Sequence, residues 1–413
     1  MAERQPPLWT NFIARQPIFD SHKKVFAYEL LFRSSLTNYF RSSQPDQASS
    51  NVVSNFLLFG IESLTGGRKA FINFTRNLLT QEYATLLSPE QAVIEILEDV
   101  CPDDAVVEAC KSLKQKGYTL ALDDFPSDGR MNPLIPFADI VKVDWRRTEP
   151  GICQRLAKEL IPRKIKLLAE KVETHEQYRQ ALGMGYGYFQ GFFFCRPEVV
   201  TRRDIPALRT NCLLLLREVN AEEPDIAAVE RVFKREPSLC YKLLRYLNSA
   251  AFCFRGSITS VRHALSLLGL WDLRRWVSLV TLADMGQDKP DALVVTSLIR
   301  AKFCESIGQG GGQKQYATEL FLLGLFSLID AILDTPMEKA LQDLPISNET
   351  KATLLGKENC YQPLYSLICA YEKSDWEQAF KLADSLHMSE ETIAKAYVEA
   401  VTWAQELSRL VKV

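Results

Sequence analysis

Up to about residue 200, short apolar runs alternate with amphipathic stretches. The runs are Phe71-Ile72-Asn73-Phe74, Val93 to Leu97, Thr119 to Phe125, Asp139 to Asp144, Lys166 to Glu173 and Tyr188 to Phe194. They are short and rich in Val, Ile, Leu and Phe, which predicts buried strands. Between them, Asp103 to Lys116 and Gln154 to Leu160 carry apolar residues at helical spacing. This alternation predicts a parallel sheet with helices outside it. The even recurrence of the runs over the first half fits a compact (β/α)8 TIM-like barrel, with a doubly wound sheet as the structural alternative.

Beyond that point the period changes. Thr210 to Asn220 is apolar at helical spacing, and Asp225 stands where it can cap a helix over Ile226 to Lys234. Pro237 suits the first turn of a helix running to Leu247. Further helical patterns cover Ser260 to Leu268, Trp271 to Met285, Ala292 to Ile307, Thr318 to Leu333 and Glu390 to Leu410. The expected class is therefore α/β plus all-α, with domains over 1–200 and 201–413. The length, 413 residues, agrees with two cores rather than one.

Composition narrows the chemistry. Lys plus Arg number 49 against 51 Asp plus Glu, a formal net charge of −2, which argues against a bulk nucleic-acid binder. No run reaches the roughly 18–20 apolar residues of a membrane span, and the polar N-terminus lacks a signal-type apolar core. With ten scattered cysteines and no CxxC pair, the expectation is a cytoplasmic protein with reduced thiols. The four histidines, His22, His175, His263 and His387, never fall at metal-ligand spacing. A metal site here must be built from oxygen, which suits Mg2+ or Mn2+ better than Zn2+.

Polar residues interrupt the apolar runs of the first half. They are Glu29, Asn73, Glu95, Asp123, Asp124, Lys142, Asp144, Glu170, Glu173 and Gln190. Any one of these acids, taken alone, is best read as solvated or paired with an arginine. Acids on successive strands are another matter, because converging carboxylates repel unless a cation neutralises them. Several oxygen ligands with one Asn and one Lys make a hard-cation site at the strand ends of a barrel.

These residues carry a resemblance. Tyr28-Glu29-Leu30-Leu31-Phe32-Arg33 resembles the signature of the EAL domain, the cyclic di-GMP phosphodiesterase barrel, with Leu30 where the motif has Ala. Arg15-Gln16-Pro17-Ile18, Ile72-Asn73, Glu95-Ile96-Leu97-Glu98, Asp123-Asp124-Phe125, Val141-Lys142-Val143-Asp144, Ala169-Glu170-Lys171-Val172-Glu173-Thr174 and Gln190-Gly191-Phe192 are similar to its other motifs, in the same order. Leu239 to Ala250 and Ile258 to Gly269 resemble an HDOD domain, a degenerate relative of the HD phosphohydrolases. Together the halves resemble the EAL–HDOD (YuxH-type) signalling proteins.

The resemblance implies a two-metal site, Mg2+ or Mn2+, held by Glu29, Asn73, Glu95, Asp123, Asp124 and Glu170. It implies that Glu170 activates water, that Lys142 positions or polarises the nucleophile, and that Glu29 is essential to turnover. Gln16 and Arg33 would hold cyclic di-GMP, and Gln190 and Glu173 would complete the site. The implied reaction is hydrolysis of cyclic di-GMP to pGpG, and the alternative is an inactive barrel acting as a receptor or scaffold.

Two departures bear on that choice. The family's glycine-rich loop after Asp124 here reads Phe125-Pro126-Ser127-Asp128-Gly129-Arg130, and Lys171 replaces a glycine. That loop couples metal site to dimerisation in the family, so it bears on a homodimer as well as on activity. For Lys171 the expectation is a head group turned to solvent. In the helical half, Ser327 and Leu328 stand where a His-Asp dyad would be, which implies a regulatory or partner-binding module without hydrolase activity. The basic-aromatic stretch of Lys242, Arg245, Tyr246, Phe252, Phe254, Arg255, Arg262, Trp271, Arg274, Arg275 and Trp276 reads either as a partner-binding or nucleotide-sensing surface or as an ordinary solvated helix face with buried aromatics. The second is the expectation for most of these residues, and Arg274-Arg275 are the pair to which the first applies best.

Overall fold

The computed structural model describes residues 12–33, 61–124, 133–196, 207–221, 223–235, 239, 242–243, 247, 261–286, 289–311, 314–342 and 344–411. The expected loop over Pro126-Ser127-Asp128 and most of the expected helix from Pro237 lie outside these residues. Two compact units are formed. The first gathers the described residues up to Arg196 together with Cys369–Ser385 and Ser389–Val398, and the second holds the rest. The sequence pattern suggested one division near residue 200, but these two late segments join the first unit.

In the first unit, β1 (Phe12–Asp20), β2 (Val25–Arg33), β3 (Lys69–Phe74), β4 (Ala92–Ile96), β5 (Thr119–Leu122), β6 (Ile140–Asp144), β7 (Lys166–Glu170) and β8 (Tyr188–Gln190) close into a barrel in that order. Strands β2 to β8 run parallel, but β1 is antiparallel to both β2 and β8. The closed eight-stranded barrel agrees with the TIM-like (β/α)8 expectation, and the antiparallel β1 departs from the expected parallel sheet. Only four residues join β1 to β2, enough for a hairpin and too few for a parallel crossover.

Helices α1 (Ile61–Thr65), α2 (Arg76–Thr80), α3 (Asp104–Gln115), α4 (Pro150–Leu160) and α5 (His175–Gly183) connect the later strands. Local chemistry sets their ends. The Asp103 carboxylate accepts from the Val106 amide at 2.9 Å and pairs with Arg76. At α5, Thr174 and Gln177 form a reciprocal capping box directly after the polar end of β7.

One buried side chain from each strand fills the barrel: Ile18, Ala27, Phe71, Val93, Ala121, Ile140, Leu168 and Tyr188. Side chains two residues apart on a strand share a face. This apolar layer therefore fixes which residues form the next layer above it. Each fully buried large apolar side chain in this floor contributes about 1.5–3 kcal/mol.

From Ala207 onward the described residues form helices and turns. They are α6 (Ala207–Asn220), α7 (Ile226–Arg235), α8 (Val261–Met285), α9 (Asp291–Gly310), α10 (Ala317–Leu325), α11 (Ile329–Leu333), α12 (Met337–Ala340), α13 (Asn348–Leu354), α14 (Gln362–Glu372), α15 (Trp376–Ser385) and α16 (Glu390–Val411). Gly269, at φ +68°, breaks α8 into two helical stretches, as the sequence pattern anticipates. The expected helix over Thr318 to Leu333 is interrupted at Phe326-Ser327-Leu328.

Within the second unit, the described basic and aromatic residues are internally satisfied. Lys242 pairs with Asp284 at 2.6 Å, and Arg274 donates to the Val219 and Ala221 carbonyls. Arg275 lies over the rings of Trp271, Phe321 and Trp403 and pairs with buried Glu305. Trp276 stacks on Phe233. The Ser327 hydroxyl, 5% exposed, donates to the Gly324 carbonyl at 2.7 Å and accepts from Arg300 at 3.1 Å. Ser327 and Leu328 are thus both buried in the packing of these helices.

Candidate active site

The layer above the apolar floor is polar on every strand. Two residues beyond the floor on the parallel strands stand Glu29, Asn73, Glu95, Asp123, Lys142, Glu170 and Gln190. Strand β1 runs the other way, so its counterpart lies two residues before Ile18 and is Gln16. Register confirms the ring: Gln16 is opposite Glu29 and Asn73 is opposite Glu95. Most of the site is therefore one face of one barrel, set by the period of two.

Lys142 is the hub. It is 1% exposed, and its ammonium pairs with Glu95, with Glu170 at 2.7 Å, with Asp123 at 3.0 Å and with Glu29 at 3.6 Å. Burial works against its charge, but the four carboxylates outweigh burial and hold it protonated. One ammonium cannot neutralise four acids. Complete burial pushes the Glu95 carboxyl well above its ordinary range against the opposing pull of Lys142, with Glu29, Asp123 and Glu170 adding to the rise. The same causes, burial first, push Glu170 up to about 7.

On the β8 side, the Gln190 amide donates to Glu29 at 2.6 Å and to the Gln16 side-chain oxygen at 3.0 Å. Gly191 follows at φ +140°, and a Cβ there would stand 2.2–2.8 Å from the Val172 backbone. That close approach lets the Val172 amide donate to the Gln190 carbonyl and the Phe193 amide to the Val172 carbonyl. A glycine between polar Gln190 and apolar Phe192 is the sequence signal for it.

Two residues just past strand ends, beyond β5 and β7 on either side of β6, have left-handed backbone, Asp124 at φ +35° and Lys171 at φ +54°. Both are uncommon for side chains larger than glycine and concentrate at functional sites. Lys171 does not simply turn to solvent as expected. Its ammonium donates to the Asp144 carboxylate at 2.6 Å while the side chain stays half-exposed. Asp144 also accepts from the Arg146 and Arg147 amides, and these bonds keep its carboxyl below the ordinary range against its partial burial.

Glu173 is placed differently from the ring. Its carboxylate pairs with Arg146 at 3.0 Å and Arg196 at 3.6 Å, more exposed than the ring acids. Arg33 ends β2, and its side chain lies outside the described residues.

The donor set fits hard divalent cations. Oxygen ligand atoms of Asp123, Asp124 and Glu170 lie within 4.8 Å of one another. Asn73 Oδ1, Glu95 Oε2, Asp124 Oδ1 and Gln190 Oε1 are buried without a protein hydrogen-bond partner. Buried acceptors and surplus negative charge call for cations bound through oxygen.

Such a barrel, with an all-oxygen bowl around one lysine, defines a barrel of the EAL class. The EAL domain family model matches residues 56–197, and the HDOD domain family model matches residues 205–353. Over the whole chain, the sequence is 36% identical to the uncharacterized protein YuxH of Bacillus subtilis, covering 96% of this chain and 98% of that protein. It is 35% identical to the cyclic di-GMP phosphodiesterase CdgJ of Vibrio cholerae, covering 98% of this chain and 94% of that protein. Among solved structures, the calcium and cyclic di-GMP complex of Klebsiella pneumoniae BlrP1 is similar at 24% identity and a TM-score of 0.40, covering 48% of this chain and 58% of that one. The chain belongs to the family of EAL–HDOD proteins. Among the described residues no helix is long and apolar enough to cross a membrane.

Proposed function

We propose that the barrel binds cyclic di-GMP and hydrolyses one of its phosphodiester bonds to give linear pGpG. The observation that carries this is the polar ring itself, in which Glu29, Asn73, Glu95, Asp123 and Glu170 surround one buried lysine. The relative CdgJ, similar along its whole length, is named for the same activity.

Glu29, Asn73, Glu95, Asp123, Asp124 and Glu170 would hold two divalent cations, Mg2+ or Mn2+. When bound, such cations lower the pKa of a water and stabilise charge on the phosphoryl and leaving oxygens. The chain's own groups do the rest. Glu170, at the C-terminal end of β7 with one oxygen on the Lys142 ammonium, would take the proton of the attacking water. Lys142 donates toward whichever oxygen carries charge, while its hydrogen bonds fix Glu170 and Asp123 in place. Gln190 and Gln16 present side-chain amides on the β8–β1 side, where they orient the dinucleotide, and Arg33 contributes to its phosphates. Glu173, tied to Arg146 and Arg196, completes the rim of the site. The helical half acts as a regulatory or partner-binding output.

Purified full-length protein with Mn2+ or Mg2+ should convert cyclic di-GMP to pGpG, read by chromatography, and Glu29→Ala should abolish the conversion. No turnover with either metal, together with micromolar binding by calorimetry, would replace the enzyme with a receptor. Neither turnover nor binding would leave only a scaffold.

A further inference from the structure

Strand β1 is incompletely paired on one side. Among the described residues, its edge toward β8 is matched only at Ile18, Phe19 and Asp20, because β8 is three residues long. Ile13 and Arg15 lie on the stretch that β8 does not reach. In a strand, the carbonyl of one residue and the amide two residues on point the same way, so the Ile13 carbonyl and the Arg15 amide face this open edge together. Unpaired backbone groups of this kind are costly when buried.

Two tyrosine hydroxyls take the place of the missing strand. Tyr371 donates to the Ile13 carbonyl at 3.2 Å, and Tyr397 accepts from the Arg15 amide at 3.3 Å. A phenol can serve either polarity, which an edge presenting both a donor and an acceptor requires. Tyr371 is 0% exposed and Tyr397 3%. Their rings lie 4.8 Å apart, and Trp376 packs edge-on against Tyr371 at 5.2 Å. All three belong to the segments Cys369–Ser385 and Ser389–Val398, which fold with the barrel.

The same short stretch of β1 feeds the active site. The Arg15 side chain is fixed outside the barrel, donating to the Leu64 carbonyl at 2.6 Å and lying over the Tyr28 ring. The next residue, Gln16, therefore points inward, where Gln190 holds it beside Glu29. We infer that Tyr371 and Tyr397 are positioning residues for the active site: by completing the β1 edge they hold Gln16 at the ligand. In this assignment they act on the ligand through β1, by way of the Ile13 carbonyl and the Arg15 amide.

The test uses the full chain with Tyr371→Phe and Tyr397→Phe, which keep the rings and delete the hydroxyls. Hydrogen exchange of the peptide spanning β1 should speed up about five- to tenfold, the effect of losing a net hydrogen bond. Cyclic di-GMP affinity, by calorimetry in the presence of Ca2+, should fall by a similar factor. In a Gln16→Ala background the tyrosine changes should cost little further affinity, because the route through Gln16 is already gone. Unchanged exchange overturns the edge assignment. Faster exchange with undiminished affinity, or full additivity with Gln16→Ala, overturns the link to Gln16. The affinity arm rests on the cyclic di-GMP reading. If the unaltered protein bound none, that reading would fail, and exchange at β1 would still decide whether the tyrosines hold the strand.

Discussion

Replacing Lys142 by methionine tests the electrostatics of the bowl. The substitution keeps most of the volume and deletes the ammonium shared by Glu95, Glu170, Asp123 and Glu29. Removing one partner of a buried ion pair costs about 3–5 kcal/mol, a large share of the roughly 5–15 kcal/mol that holds a typical domain together. The cost has an escape route, because the stranded acids can take up protons. Glu170 already titrates at about 7, above its ordinary 4.5, so the folded state binds more protons than the unfolded state between those values. Metal-free stability therefore falls as pH rises across that window and levels off above it. Without Lys142 the window extends upward, since the charge that lowers Glu170 and Glu95 is gone. Native-state hydrogen exchange on β4 to β7 peptides, corrected for intrinsic rates, measures the loss. We expect a loss of about 3–5 kcal/mol at pH 8 without metal, less than half of it at pH 5.5, and partial recovery with Mn2+. At a hundredfold excess over its Kd, a ligand restores about 2.7 kcal/mol. A loss below about 1 kcal/mol at pH 8, or an equal loss at both pH values, would refute the reasoning.

Other outcomes follow from single contacts. Gly191→Ala places a Cβ within 2.2–2.8 Å of the Val172 backbone at φ +140°; it should cost about 1–3 kcal/mol and lower cyclic di-GMP turnover by displacing Gln190, read by melting and by pGpG formation. Thr174→Ala removes half of the α5 capping box and should cost about 1 kcal/mol in urea unfolding, with the change confined to stability. Lys171→Gly relieves a left-handed backbone while breaking the half-exposed pair with Asp144, so stability should change by under about 1 kcal/mol. The same change removes positive charge that interacts with Asp124 and Glu170, so Mn2+ affinity by calorimetry should rise several-fold.

Much of the bowl was legible because burial and alternation leave marks in sequence. Glu95 splitting Val93-Ile94 from Ile96-Leu97 has no role in a core unless something polar lies inside the barrel. The two-residue step from Phe71 to Asn73, or from Leu168 to Glu170, puts an acceptor directly above the floor. What alternation cannot show is direction. Strand β1 reads equally well either way, and only the four-residue link to β2 marks the hairpin. Nor can it show sharing: Lys142 looks like one charge on one strand until four carboxylates close around it. The tyrosines at 371 and 397 are the least legible. They sit at helical spacing among apolar residues, where ordinary core packing is the natural reading, and their partners lie 358 and 382 positions away along the chain.

That separation also sets an order of events during synthesis. The last barrel strand ends at Gln190, whereas the groups that finish the β1 edge wait for Tyr371 and Tyr397. At 5–20 residues per second a ribosome needs about 10–40 s to cover that interval. Through it, the nascent barrel carries an open strand edge, the feature that invites pairing with another chain. Holding factors would have most to protect in that period. A message cut short before codon 371 would yield every residue of the polar ring on a barrel whose β1 edge, beyond its pairing with β8, lacks the two tyrosine hydroxyls.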